Sequence, residues 1–204
     1  MMNAPRARAL LVAVAAGLLS AASVQAENKG SPAMVTGGIT SQPIGHYEFC
    51  QKYASECDIR SKLTPPPRVT EYGWKVVRDI NTEVNTTIVA MTDQEVYGKD
   101  EVWEYPKTAG DCEDFVLLKR KKLVEKGFAV SDLLIAVVRK PDGEGHAVLT
   151  LRTTDGDFIL DNLSNEVKLW TETNYTFLKR QASFNTGRWV SIEDGRDVLV
   201  GALR

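Results

Sequence analysis

Acyl transfer by a thiol needs a partly ionised sulfur, a base within hydrogen-bond reach and a third group that orients the base. The chain offers few residues for those roles: three cysteines and two histidines in 204 residues. Cys112 stands alone, whereas Cys50 and Cys57 lie close together in a segment with little regular pattern. His46 sits beside Cys50 in that segment, while His146 opens the extended run "HAVLTL" and Asp161 closes the next one, "FILD". The candidate set is Cys112 as nucleophile, His146 as base and Asp161 as orienter. Each has a plainer reading, as a small buried hydrophobe, a polar strand end and an Asp-Asn turn.

Strand geometry tests whether Asp161 can orient His146. If residues 153–156 form a four-residue loop, Arg152 pairs with Asp157 and Val148 faces Asp161, which puts His146 and Asp161 on one face as diagonal neighbours. If only Asp155 and Gly156 form the loop, Asp161 falls opposite Thr150, about 13 Å from His146 along the strand. Both registers are compatible with the sequence, and only the first serves catalysis directly.

Asp111, Glu113 and Asp114 surround the thiol. Helix capping and dipole complementation account for an acidic first turn. Three carboxylates nevertheless oppose ionisation of a neighbouring sulfur unless a cation, such as a hard divalent ion, neutralises them.

The elements that must hold these residues follow from periodicity. In "AGDCEDFVLLKRKKLVEKG", Asp111 with Asp114 can cap a helix and Gly127 suits its left-handed close. With Cys112 at 0° and about 100° per residue, Val116, Leu123 and Phe115 cluster around it, so Cys112 begins the buried face in a first turn whose dipole favours an anion. An earlier helix is predicted from Trp74, Val77, Ile80, Val84 and Ile88, followed by a polar stretch from Thr92 to Lys107. Leu133 to Val138, His146 to Leu151 and Phe158 to Asp161, separated by turn residues, predict an antiparallel meander extended by segments around Val167, Tyr175, Phe177 and Trp189. The class expected is α+β, with N-terminal helices packed on an antiparallel sheet.

Arg6 and Arg8, an apolar stretch from Ala9 to Leu19 and the small-residue close Val24-Gln25-Ala26 predict a signal peptide, residues 1–26, with export to the periplasm or beyond after cleavage near Ala26. Residues 27–204 are then expected to form one domain, with 27–67 as an arm rich in Gly, Ser, Thr and Pro. No later run is long and apolar enough for a membrane span. Removing Arg6 and Arg8 leaves 23 of 25 basic residues against 27 acidic ones, a net charge of −4 that gives no footprint for nucleic acid. In an oxidising compartment Cys50 and Cys57 are better read as a local disulfide than as two buried thiols, leaving Cys112 free.

Taken together, "GHYEFC" with the downstream Cys57, "WKVVRDINTEVN", "VWEYPKTAGDCEDFVLLK", "GHAVLTL" and "FILDNL" resemble the bacterial transglutaminase-like cysteine proteinases, a family that includes the periplasmic LapG-type proteases that release biofilm adhesins. The resemblance implies a papain-like or transglutaminase-like fold and a Cys-His-Asp triad mapping onto Cys112, His146 and Asp161. It also implies calcium (Ca2+) held by the acidic residues flanking the cysteine, here Asp111 and Glu113, and a protein substrate such as a surface adhesin. The backbone N–H of Cys112, at a helix start, is a candidate oxyanion donor, and by loose analogy Trp103 is a second, set against a place in the core or groove wall. Rival readings are a transglutaminase or amidase, which shares the thioester chemistry, and a non-catalytic module binding calcium or a partner.

Overall fold

The computed structural model describes Met1 and residues 32–193. The signal-peptide expectation for 1–26 therefore lies outside the described residues apart from Met1, as do 27–31 of the arm and 194–204. In chain order the elements are β1 (Thr36–Thr40), α1 (Ile44–Lys52), α2 (Ala54–Cys57), α3 (Glu71–Thr87), β2 (Val89–Ala90), α4 (Asp93–Tyr97), β3 (Ala109–Gly110), α5 (Cys112–Glu125), β4 (Leu133–Arg139), β5 (Gly145–Thr153), β6 (Gly156–Asp161), β7 (Ser164–Leu169), β8 (Thr176–Ala182) and β9 (Asn185–Ile192).

Seven strands form one antiparallel sheet in the order β1-β9-β8-β4-β5-β6-β7. Successive side chains of a strand point to opposite faces, and the core divides accordingly. Leu133, Ile135, Leu149, Leu151 and Leu160 join Val77, Ile80 and Val84 of α3 and Phe115, Val116 and Leu123 of α5. Ala136, Val138, Val148 and Ile159 instead meet Met34, Trp170 and Phe177. This is the α+β class, helices against one face of the sheet.

The helix α3 begins where Thr70 Oγ1 accepts the Gly73 N–H at 3.1 Å and follows the predicted stripe, with Val77, Ile80 and Val84 buried and Trp74 half-buried. The helix α5 departs from a one-sided pattern. Residues 113–117, Lys119, Arg120 and Leu123 are all buried, as for a helix enclosed between α3 and the sheet. Gly127 closes it at φ +93°.

One expectation is corrected. The supposed arm is built into the fold: β1 pairs with β9 through Ile39↔Val190 and Thr40↔Trp189, and α1 and α2 are joined by the Cys50–Cys57 disulfide. The polar stretch after Thr92 holds α4, started by a capping box in which Thr92 and Glu95 bond each other's backbone N–H groups. No described helix is long and apolar enough to cross a membrane.

Candidate active site

Cys112 is the first residue of α5, whose first turn closes with Phe115 N–H on the Asp111 carbonyl at 3.2 Å. Asp111 occupies the cap position in extended backbone, but its side chain makes no capping bond. The expected Asp111–Asp114 cap is absent because both carboxyls have other neighbours. The Cys112 sulfur is half-buried and free of disulfide. It accepts the Ala147 N–H at 3.3 Å and its thiol donates to Glu113 Oε2 at 3.0 Å. Burial pushes the thiol well up, the Glu113 and Asp111 carboxylates push the same way, and the Ala147 N–H opposes them. The helix dipole alone favours a thiolate; here burial and the adjacent carboxylates outweigh it.

Ala147 belongs to β5, next to His146, so its bond to the sulfur brings the thiol beside the imidazole-bearing strand. His146 Nε2 and Asp161 Oδ1 are 2.9 Å apart and both side chains are buried. This uses Nε2 and leaves Nδ1 as the nitrogen available to a thiol. The register that achieves this pairs Leu149 with Leu160 and Arg152 with Asp157, the pairing in which His146 and Asp161 are diagonal neighbours. Its loop is shorter than expected, because Thr153 pairs with Gly156 and Thr153 Oγ1 donates to the Gly156 carbonyl at 2.8 Å. Only Thr154 and Asp155 are left to turn, with Gly156 at φ +129°.

Asp161 Oδ1 also accepts the Leu163 N–H at 3.0 Å, and Oδ2 accepts the Tyr175 hydroxyl at 2.6 Å. Burial works against its ionisation, but the bonds from His146, Leu163 and Tyr175 prevail and hold it below the usual carboxylate range. From behind, α3 fixes the same turn: Asn85 Nδ2 donates to the Asp161 carbonyl at 2.9 Å, and Asn81 Nδ2 to the carbonyls of Ser164 and Asn165.

The acidic neighbours separate into two groups. Asp111 and Glu113 meet Asp93, and one oxygen of each lies within 4.8 Å of the others. Asp93 comes from α4, which the parallel β2–β3 bridge sets beside the start of α5; there Met91 N–H bonds the Gly110 carbonyl at 3.0 Å. Burial raises Asp93 to about 6 and, with the Glu113 charge, raises Asp111 to about 8; Glu113 is raised too, chiefly by burial. Oδ1 of Asp93 and Oδ1 of Asp111 are buried with no hydrogen-bond partner among the described residues. Asp114 stands apart, accepting the Glu104 N–H at 2.8 Å, and Asp132 is paired with Arg152 at 3.3 Å. Sequence reasoning missed Asp93, although "TDQE" carries the capping-box spacing that could have exposed its helix.

His46, expected in a weakly ordered arm, is a core residue only 1 % exposed. It packs edge-on against Trp103 and Trp189, and Trp189 Nε1–H donates to its Nδ1 at 3.3 Å. Burial and the nearby Arg120 charge depress it to about 3, so the ring is neutral. Trp103 is buried in the same cluster, and a methyl group on Gly45 of α1 would lie 2.5 Å from its Nε1. Its indole nitrogen thus abuts α1, in the core as the alternative reading has it, and has no hydrogen-bond partner among the described residues.

A family model described as "bacterial transglutaminase-like cysteine proteinase BTLCP" matches residues 36–197. Among solved structures, calcium-bound Legionella pneumophila LapG is similar, with 24% identity and a TM-score of 0.49 over 57% of this chain and 68% of that one. EGTA-treated Legionella pneumophila LapG aligns with 25% identity and a TM-score of 0.48 over 58% and 67%. No curated protein matches the chain.

Proposed function

The chain belongs to the bacterial transglutaminase-like cysteine proteinase family, and from that premise we propose that it hydrolyses peptide bonds with Cys112 as nucleophile, His146 as general base and acid, and Asp161 as the group that orients His146. The observation that carries this is the buried His146 Nε2–Asp161 Oδ1 pair on the strand whose next N–H, that of Ala147, bonds the Cys112 sulfur.

With Nε2 engaged by Asp161, Nδ1 takes the proton from Cys112 and the thiolate attacks the peptide carbonyl carbon. The C–S bond forms as the carbonyl π pair moves to oxygen, where the Cys112 N–H at the start of α5 meets the oxyanion. The Asp161 carboxylate offsets the imidazolium. Expulsion of the amine takes the proton from His146. Water then adds to the thioester, losing its proton to His146, and the departing sulfur recovers it as thiol.

Asp93, Asp111 and Glu113 would hold a cation, since their oxygens converge and two of them have no hydrogen-bond partner among the described residues. The donor set is all oxygen, which suits calcium better than zinc, with backbone carbonyls or water completing the shell. Bound there, calcium would supply positive charge that offsets the carboxylates beside the sulfur. The substrate is proposed to be a surface or secreted protein, met after export and cleavage near Ala26.

A peptidyl vinyl sulfone, with mass spectrometry to locate the adduct, tests the mechanism. Wild-type protein should be labelled at Cys112, and His146→Ala should slow labelling by about 100-fold or more at an unchanged melting temperature. Hydrolysis of a protein substrate that persists in Cys112→Ala would exclude the thiol mechanism.

A further inference from the structure

Asp161 has two oxygens, and they are used differently. Oδ1 faces His146 Nε2 and the Leu163 N–H, while Oδ2 is taken by the Tyr175 hydroxyl at 2.6 Å. A carboxylate can only accept, so the phenol donates. The Tyr175 ring also lies edge-on to the His146 ring, at 64° with centroids 5.6 Å apart. Tyr175 therefore touches both members of the pair, although it comes from a different part of the chain, the segment just before β8. It is half-buried, and together with Asp161, Leu163, Lys140 and Glu172 it lines a cavity of about 570 Å³.

The torsion that turns a carboxyl group about its Cβ–Cγ bond is broad and nearly two-fold. A carboxylate held at one oxygen only can swing and present either oxygen to the imidazole. Tyr175 bonds the second oxygen and fixes the plane. With the plane fixed, Oδ1 stays on Nε2, the imidazole keeps its proton there, and Nδ1 keeps its lone pair for the thiol. Removing the hydroxyl while keeping the ring would leave Oδ2 buried without its donor, and the carboxylate could relax only by turning or by taking up a proton.

We propose that Tyr175 is a positioning residue of this site, which locks Asp161 through Oδ2 and His146 through ring contact and so sets the imidazole tautomer that Cys112 needs. The proposal rests on the assignment of Cys112, His146 and Asp161 given above.

The test uses the mature protein and Tyr175→Phe, with two readouts that require no knowledge of the substrate. One is the rate at which iodoacetamide alkylates Cys112. The other is the long-range ¹H–¹⁵N spectrum of ¹⁵N-histidine-labelled protein, which is simple because the chain has two histidines. In wild type His146 should be the Nε2–H tautomer. Tyr175→Phe should move it towards a mixture of tautomers, slow alkylation about tenfold and leave the His46 signals in place. Wild-type rate and tautomer in Tyr175→Phe would overturn the proposal, and so would equal displacement of the His46 and His146 signals, which marks a purely structural residue. His146→Ala separates this from failure of the underlying assignment. If His146→Ala slows alkylation and Tyr175→Phe does not, only the role of Tyr175 is lost; if His146→Ala does not slow it, the thiol–imidazole assignment itself falls.

Discussion

A thiol that donates to one carboxylate and sits near a second is held in its neutral form, and burial in turn favours protons on those carboxyls. Any cation at Asp93, Asp111 and Glu113 must displace those protons. The folded-state values, about 6 for Asp93 and about 8 for Asp111, lie above the ordinary 3.8, so the folded protein binds more protons than the unfolded chain between about pH 4 and pH 8. Without metal, stability from this cluster falls as pH rises through that window. Calcium affinity should rise over the same window and level off above about pH 8. Titration calorimetry at pH 5.5, 7 and 8.5 checks this, and Asp93→Asn should weaken binding by about tenfold or more while sparing the His146–Asp161 pair. Affinity independent of pH, or unaffected by Asp93→Asn, would remove Asp93 from the ligand set.

Among the elements, α3 matters for more than its apolar stripe. Asn85 Nδ2 reaches the Asp161 carbonyl, the Ser164 carbonyl and Asn165 Oδ1, which ties the turn after β6 to the helix. Asn85→Ala should cost about 1–3 kcal/mol of stability and slow vinyl sulfone labelling of Cys112 several-fold, measured by thermal unfolding and mass spectrometry. Labelling at the wild-type rate would mean that β6 and β7 hold Asp161 unaided. The stripe of α3, the start and close of α5 and the meander carrying His146 and Asp161 were legible because each is written in a local period or a turn residue. The register between β5 and β6 was narrowed to two pairings, and the pleat alone cannot choose between them. Asp93 was illegible as a site residue for another reason: the β2–β3 bridge that delivers it joins Val89 and Ala90 to Ala109 and Gly110, too short to leave a pattern. The misassigned Asp111 cap shows how a carboxyl with two possible neighbourhoods follows the tertiary one.

For the molecule as a whole, the enclosed α5 carries a cost. Lys119 is fully buried on it, its Nζ has no hydrogen-bond partner among the described residues, and it lies 5.9 Å from the centre of the Phe115 ring. Burial pushes it down to about 7, with the Asp161 charge opposing that fall. Between pH 7 and about 10.5 the unfolded chain therefore binds the extra proton, and stability from this group rises with pH across that range; below pH 7 the penalty is present in full. Lys119→Met should raise stability at pH 7 by about 1–4 kcal/mol and flatten the rise in alkali, as followed by denaturant unfolding at pH 6, 8 and 10. A less stable Lys119→Met protein would mean that the ammonium has an internal partner worth more than its burial costs.

The pairing of β1 with β9 has a consequence in time. A ribosome releases the strand at Thr36–Thr40 long before the one at Asn185–Ile192, and Trp189, which bonds His46, lies 143 residues downstream of it. The disulfide between Cys50 and Cys57 spans seven residues and needs none of that delay. Its small loop can be stapled early, but the ring of His46 finds Trp189 and Gln181 only when β8 and β9 have emerged. Closure of the sheet is thus a late, long-range event, and until it happens this edge of the molecule is a length of nascent chain without its aromatic anchor.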